Sequence, residues 1–147
     1  ALFNSEAFGG WPRDTVREVD IVSGCFLMIP RAVWQALGGF DPTFFMYGEE
    51  ADLCLRARRM GARPTVTPEA TIIHHGGASE RTRAGKMTKL LAAKSTLIAR
   101  HWPRGTIAIG QSLLMMWPLT RLLVWAAVAR IKDDARAREA ASTWRAI

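Results

Sequence analysis

From Thr106 to Ala129 the chain runs for 24 residues with a single charged side chain, Arg121. A helix of that length is long enough to cross a hydrocarbon core, or it forms a buried or interfacial helix. Two residues oppose a span. A central Arg costs roughly 2.5–3.5 kcal/mol on insertion scales, and Pro118 removes a backbone donor and favours a kink. Gln111, Ser112, Thr120 and Arg121 do not share one helical face, so a clean interfacial helix is not marked either. A kinked pair of helices lying on a membrane, with Trp102, Trp117 and Trp125 near the headgroups, accommodates both constraints.

Charge is distributed to match. Residues 1–78 hold 7 Lys/Arg and 9 Asp/Glu, a balance of −2, whereas residues 79–147 hold 13 and 4, a balance of +9. A basic excess around an apolar stretch suits an anionic membrane surface. No familiar nucleic-acid recognition motif is visible, so nucleic acid is not an expected partner. With 49% hydrophobic residues the 147-residue chain can bury a core, which excludes disorder by composition. Cys25 and Cys54 lie in apolar runs without metal-ligand spacing and are expected as buried free thiols, in keeping with a reducing compartment. Ala1–Gly10 has neither a basic nor an apolar signal region, and no Met opens the chain, as after its removal before a small residue or in a stretch cut from something longer.

Periodicity predicts a sparse set of elements. Val19–Ile29 is β-branched and apolar and reads as a buried strand interrupted at Gly24. Pro30 opens a short helix with Val33, Trp34 and Leu37 on one face, ended by Gly38 and Gly39. Glu49–Met60 is the clearest helix, with Leu53, Ala57 and Met60 at helical spacing, acids in its first turn and Arg58 and Arg59 in its last. Short strands are expected at Pro64–Thr67 and Ala70–His74, then a Gly-containing loop. Ser79 is placed to cap a basic helix running to about His101, Pro103–Gly105 breaks the pattern, and Arg130–Ile147 reads as a charged, Ala-rich helix.

Three carboxylates, Glu49, Glu50 and Asp52, crowd the start of the clearest helix. Taken alone they are an ordinary solvated turn favoured by the helix dipole, with Asp52 and Arg56 forming an i,i+4 pair. Gly38-Gly39-Phe40-Asp41 upstream and His74-His75-Gly76-Gly77-Ala78-Ser79 downstream need the same account. Phe40–Tyr47 between them is either a sugar or acceptor platform or, for Phe40 and Phe44, core. Gly24 either lets the backbone approach a ligand or marks a bulge.

In that order, Gly38–Asp41, Phe44–Tyr47, Gly48–Arg56, Gly61, Pro68, His74 and Ser79 resemble the inverting family-2 glycosyltransferases of the GT-A fold, especially the rhamnosyltransferase-like enzymes of bacterial envelope assembly. The likeness covers residues 19–101 well. Two departures stand out. Glu50 occupies a position where relatives more often carry Asp, and no Asp-x-Asp precedes Val19, so the nucleotide-binding half of the family has no counterpart.

The resemblance implies an α/β fold: residues 1–101 as the acceptor-side part of a GT-A (Rossmann-like) catalytic domain, inactive alone, and 102–147 as a helical membrane-associating extension. It implies transfer of a sugar from a nucleotide-diphosphate donor to a lipid-linked or saccharide acceptor, with inversion and a divalent ion, Mg or Mn. Glu50 is the implied catalytic base. Gly24, Asp41, Tyr47, Glu49, Asp52 and Arg56 are the implied substrate-binding residues, and His74 the metal ligand; imidazole suits Mn better than Mg. Such a protein is expected peripherally on the cytoplasmic face of the inner membrane. Two other classes remain: a metal-dependent hydrolase using Glu49, Glu50, Asp52 and His74 as ligands, and a non-enzymatic membrane-surface adaptor using only the basic half.

Overall fold

In the computed structural model the chain forms two compact units, Ala1–Asp41 with Glu49–His74, and Pro42–Gly48 with His75–Ile147; the structure describes residues 10–75 and 82–147. The first unit contains β1 (Arg17–Glu18), α1 (Arg31–Leu37), α2 (Glu49–Arg59) and β2 (Thr65–Val66). The strands pair antiparallel, Arg17 opposite Val66 and Glu18 opposite Thr65. The Val19 N–H extends the ladder by donating to the Pro64 carbonyl at 3.0 Å. Around this ribbon α2 supplies the core: Ala51, Leu53, Cys54 and Ala57 recur at helical spacing and are all buried. Its acids stand at the positive end of the dipole and Arg56, Arg58 and Arg59 at the negative end.

The expected strand at Val19–Ile29 does not form. A strand exists only through a neighbour that takes its backbone bonds, and among the described residues pairing stops at Val19. Ile21, Phe26 and Met28 are exposed rather than buried. For the same reason Pro64–Thr67 shrinks to its two central residues, and Ala70–His74 is unpaired with Ile72 and Ile73 exposed. Met60 lies beyond the end of α2 and is exposed too. The helix after Pro30 and its left-handed end at Gly38 form as expected.

The second unit contains α3 (Arg83–His101), a 3-10 turn at Arg104–Thr106, α4 (Ile107–Lys132) and α5 (Ala135–Arg145). Thr82 caps α3, its hydroxyl accepting from the Gly85 N–H at 3.1 Å. The expected cap Ser79 and the glycines Gly76 and Gly77 lie outside the described residues. The apolar stretch forms one continuous helix through Pro118, not a kinked pair. Asp133 in the left-handed region and Asp134, which accepts from the Arg136 N–H at 2.9 Å, reverse the chain so that α5 returns along α4. Ala137, Ala141 and Trp144 form the buried stripe of α5, with Trp144 edge-on to Trp117 at 5.1 Å.

In the same unit the loop Pro42–Gly48 is fastened to α3. Phe44 is buried, and the Arg100 guanidinium lies 5.7 Å from the centre of its ring. Gly48 has φ 85°, and a Cβ there would sit 3.2 Å from Phe44, 3.3 Å from Ala93 and 3.4 Å from Leu97. Only glycine meets both demands without displacing a neighbour.

Candidate active site

The first turn of α2 carries Glu49 and Glu50, both half-buried. On each, the Oε2 oxygen is sealed from solvent and has no hydrogen-bond partner among the described residues. Carboxylate oxygens in that condition are held by their surroundings and remain free to accept a proton or a donor group. The Glu50 side chain runs against Gly24. A Cβ on Gly24 would lie 3.3 Å from Cβ, 3.6 Å from Cγ and 3.7 Å from Cδ of Glu50, so the missing side chain is the space that the carboxylate arm occupies. The close approach at Gly24 is thus made by a protein side chain.

One turn further along, Cys54 is buried. Burial pushes its thiol above the ordinary range, a backbone hydrogen bond at Val22 opposes this, and the Glu50 charge adds to the rise. Thus residues 22–24 lie along the face of α2 that carries Glu50 and Cys54. Cys25, expected buried, is exposed, and its sulfur accepts from the Ser23 hydroxyl at 3.2 Å.

Asp52 and Arg56 are joined to each other and to the end of α1. Asp52 is fully buried, and Arg56 Nε donates to its Oδ2 at 2.7 Å. The other two guanidinium nitrogens donate to the carbonyls of Leu37 at 2.7 Å and Gly39 at 2.8 Å. The Leu37 carbonyl is among the terminal acceptors of α1, which have no partner within the helix, and Gly39 lies just past the Gly38 cap. The i,i+4 pair was legible in the sequence; its reach to α1 was not, although a Gly-ended helix always leaves carbonyls in need of donors.

Asp41 is half-buried at the end of the Gly38–Asp41 run. Tyr47 is half-buried with φ 68°, a left-handed conformation that costs a non-glycine residue about 1–2 kcal/mol. In the aromatic run Phe44 is core, Phe45 is 90% exposed, and Phe40 packs edge-on against the half-buried Trp34 at 5.1 Å. His74 and His75 are exposed. Among the described residues no three His, Cys, Asp or Glu side chains gather as a metal centre. A cleft of about 580 Å³ lies at the far end of α2, lined by Val19, Gly61 and Pro64 and rimmed by the pairs Asp20–Arg58 and Glu18–Arg63. Its charges are paired with one another, and α2 separates it from Glu50.

This acidic helix mouth lies inside a match, over residues 11–95, to the family described as glycosyltransferase like family 2. The chain is 36% identical over 99 residues to rhamnosyltransferase WbbL of Escherichia coli, which covers 62% of the chain and 37% of that protein. It is 37% identical over 59 residues to the N-acetylglucosaminyl-diphospho-decaprenol L-rhamnosyltransferase of Mycobacterium tuberculosis, covering 40% and 19%, and 35% identical over 74 residues to the O-antigen biosynthesis protein RfbC of Myxococcus xanthus, covering 50% and 6%. No solved structure matches. The chain belongs to glycosyltransferase family 2 and is rhamnosyltransferase-like within it. The family implies a GT-A type α/β fold, of which the described residues show a mostly helical part; the chain spans well under half the length of each of these relatives.

Proposed function

We propose that the complete enzyme transfers a sugar of the rhamnosyl type from a nucleotide-diphosphate donor to a hydroxyl of a lipid-linked or saccharide acceptor, with inversion, in bacterial envelope polysaccharide synthesis. The printed names of the relatives support this class of chemistry. The observation that carries the mechanism is the Glu50 carboxylate beside Gly24 at the mouth of α2, whose sealed oxygen has no partner among the described residues. As the acceptor oxygen bonds to the anomeric carbon and the bond to the diphosphate breaks, Glu50 takes the hydroxyl proton. Glu49, one position earlier, holds an acceptor hydroxyl, and Tyr47 is proposed as a further substrate-binding residue. Gly24 and Asp41 border the substrate, whereas Asp52 and Arg56 act on it through the geometry they impose on α1 and α2.

The described residues do not by themselves fit a divalent ion, because no three His, Cys, Asp or Glu side chains gather among them. His74 is proposed as a single ligand to Mg or Mn, and no step of the reaction is assigned to that ion. The enzyme is placed peripherally on the cytoplasmic face of the inner membrane, where a lipid-linked acceptor is met; the basic excess of the second half supports this.

The test is Glu50→Gln in the full-length enzyme. Donor binding should persist while kcat falls by roughly 10²–10⁴, the range for loss of a positioned base. Turnover near the wild-type rate, with Glu49→Gln or Asp52→Asn inactive but folded, would move the base elsewhere.

A further inference from the structure

α4 has two unlike faces. Residues 107, 111, 114, 118, 122, 125 and 129 follow helical spacing along one side, and all are half-buried. That side meets α3 and α5: Gln111 Nε2 donates to the Ser95 hydroxyl at 3.4 Å, and α5 lies along the helix. Near its start a Cβ on Gly110 would lie 2.7 Å from the Trp102 ring, so the indole closes on the backbone. The opposite side carries Ile109, Leu113, Met116, Leu123, Val124 and Ile131, which are 54–82% exposed. Gln111 is spent on the packed side, and Thr120, which falls among the outward residues, returns its hydroxyl to the Trp117 carbonyl at 2.9 Å.

We infer that this outward stripe is a bilayer-docking surface and that α4 lies in the plane of an anionic membrane, with the six apolar side chains entering the acyl boundary. The inference deepens the peripheral location proposed above and is independent of the sugar-transfer chemistry. The helix is long and apolar enough to span. A span would have to carry the packed α5, with Arg136, Arg138, Glu139 and Arg145, into the hydrocarbon. An in-plane helix leaves α5 on the aqueous side. The edges of the stripe also fit an anionic surface. At about 100° per residue Arg121 and Arg130 fall on opposite borders of the stripe. Trp117, beneath the Arg121 guanidinium at 5.8 Å, borders the side that Arg121 occupies, at a depth suited to headgroups. Trp125, also expected near the headgroups, instead faces the packed side and is half-buried.

The decisive measurement is co-sedimentation of the full-length protein with vesicles of phosphatidylglycerol and phosphatidylcholine. The expected result is binding to the anionic vesicles that weakens in high salt, weak binding to pure phosphatidylcholine, and release by alkaline carbonate. The double variant Leu113→Glu/Met116→Glu changes only exposed positions and should keep its helical circular dichroism while losing about a hundredfold in vesicle affinity. Retention in carbonate would show a span. Undiminished vesicle binding by the double variant would remove the stripe from the interface. A shift from dimer to monomer in that variant, with lipid binding unchanged, would assign the face to a second copy of the chain. Sugar transfer to a soluble acceptor analogue should survive the double variant, so failure here is distinguishable from failure of the Glu50 reading.

Discussion

Replacing Arg56 by Met breaks a pair whose two ends differ greatly in exposure. The Asp52 side chain is 1% exposed and that of Arg56 is 22% exposed. Arg56→Met therefore takes the guanidinium away from a buried carboxylate and also frees the carbonyls of Leu37 and Gly39, which Arg56 engages at 2.7 and 2.8 Å. Removing one member of a buried pair costs about 3–5 kcal/mol, against about 0–1 kcal/mol for a solvated surface pair. The two readings of this helix turn, structural lock or solvated i,i+4 pair, thus differ by several kcal/mol. Urea unfolding of the full-length enzyme, followed by tryptophan fluorescence, should show the larger loss. The double variant Asp52→Leu/Arg56→Met should recover most of it, because the buried carboxylate leaves together with its guanidinium partner. Glu50→Gln measured in parallel should leave stability nearly unchanged. A loss under about 1 kcal/mol for Arg56→Met, with a raised KM for donor, would refute the lock and return Arg56 to direct substrate binding.

Gly24→Ala should lower kcat about tenfold or more without a matching loss of stability, since the added methyl crowds Glu50 at 3.3 Å; steady-state kinetics with a urea titration separate the two effects. A maleimide should label the exposed Cys25 rapidly and the buried Cys54 only on unfolding, as read by mass spectrometry. Because burial above all raises the Cys54 thiol in the folded protein, its stabilisation is complete below the ordinary thiol value of about 8.5 and is lost as pH rises beyond it, where the unfolded chain releases its proton first. Cys54→Ala should flatten stability measured from pH 8 to 10. His74→Ala should raise the metal concentration for half-maximal activity far more than His75→Ala does, and equal titrations would remove His74 from the ligand set.

What the sequence disclosed was mostly local. α2 announced itself through Leu53 and Ala57 at helical spacing, and the acids and arginines at its two ends; its 3.6-residue period needs no outside partner. The end of α1 at Gly38, the break at Pro103–Gly105 and the C-terminal helix were legible on the same grounds. Val19–Ile29 misled because β-branched composition reports fitness for a sheet, whereas forming one depends on a neighbour that composition cannot supply. The candidate base was found by the ordered motif. Its pairing with Gly24 was invisible, since nothing in spacing brings residue 24 to residue 50. Cys25 and Cys54 looked alike in apolar runs, and only packing on α2 separated them. In α4 the scattered polar residues concealed two faces that became distinct once α3 and α5 covered one of them.

The seat of the aromatic loop on α3 bears on how this protein can vary. A Cβ at Gly48 would meet Phe44, Ala93 and Leu97 at 3.2, 3.3 and 3.4 Å, so side chains far apart along the chain converge on that backbone. A side chain at 48 would strike all three. Among homologues position 48 should therefore stay glycine unless its neighbours at 44, 93 and 97 shrink with it. The loop that carries Tyr47 thus inherits its constraint from a helix that forms later in the sequence, and drift in the loop would be recorded as much in α3 as in the loop itself.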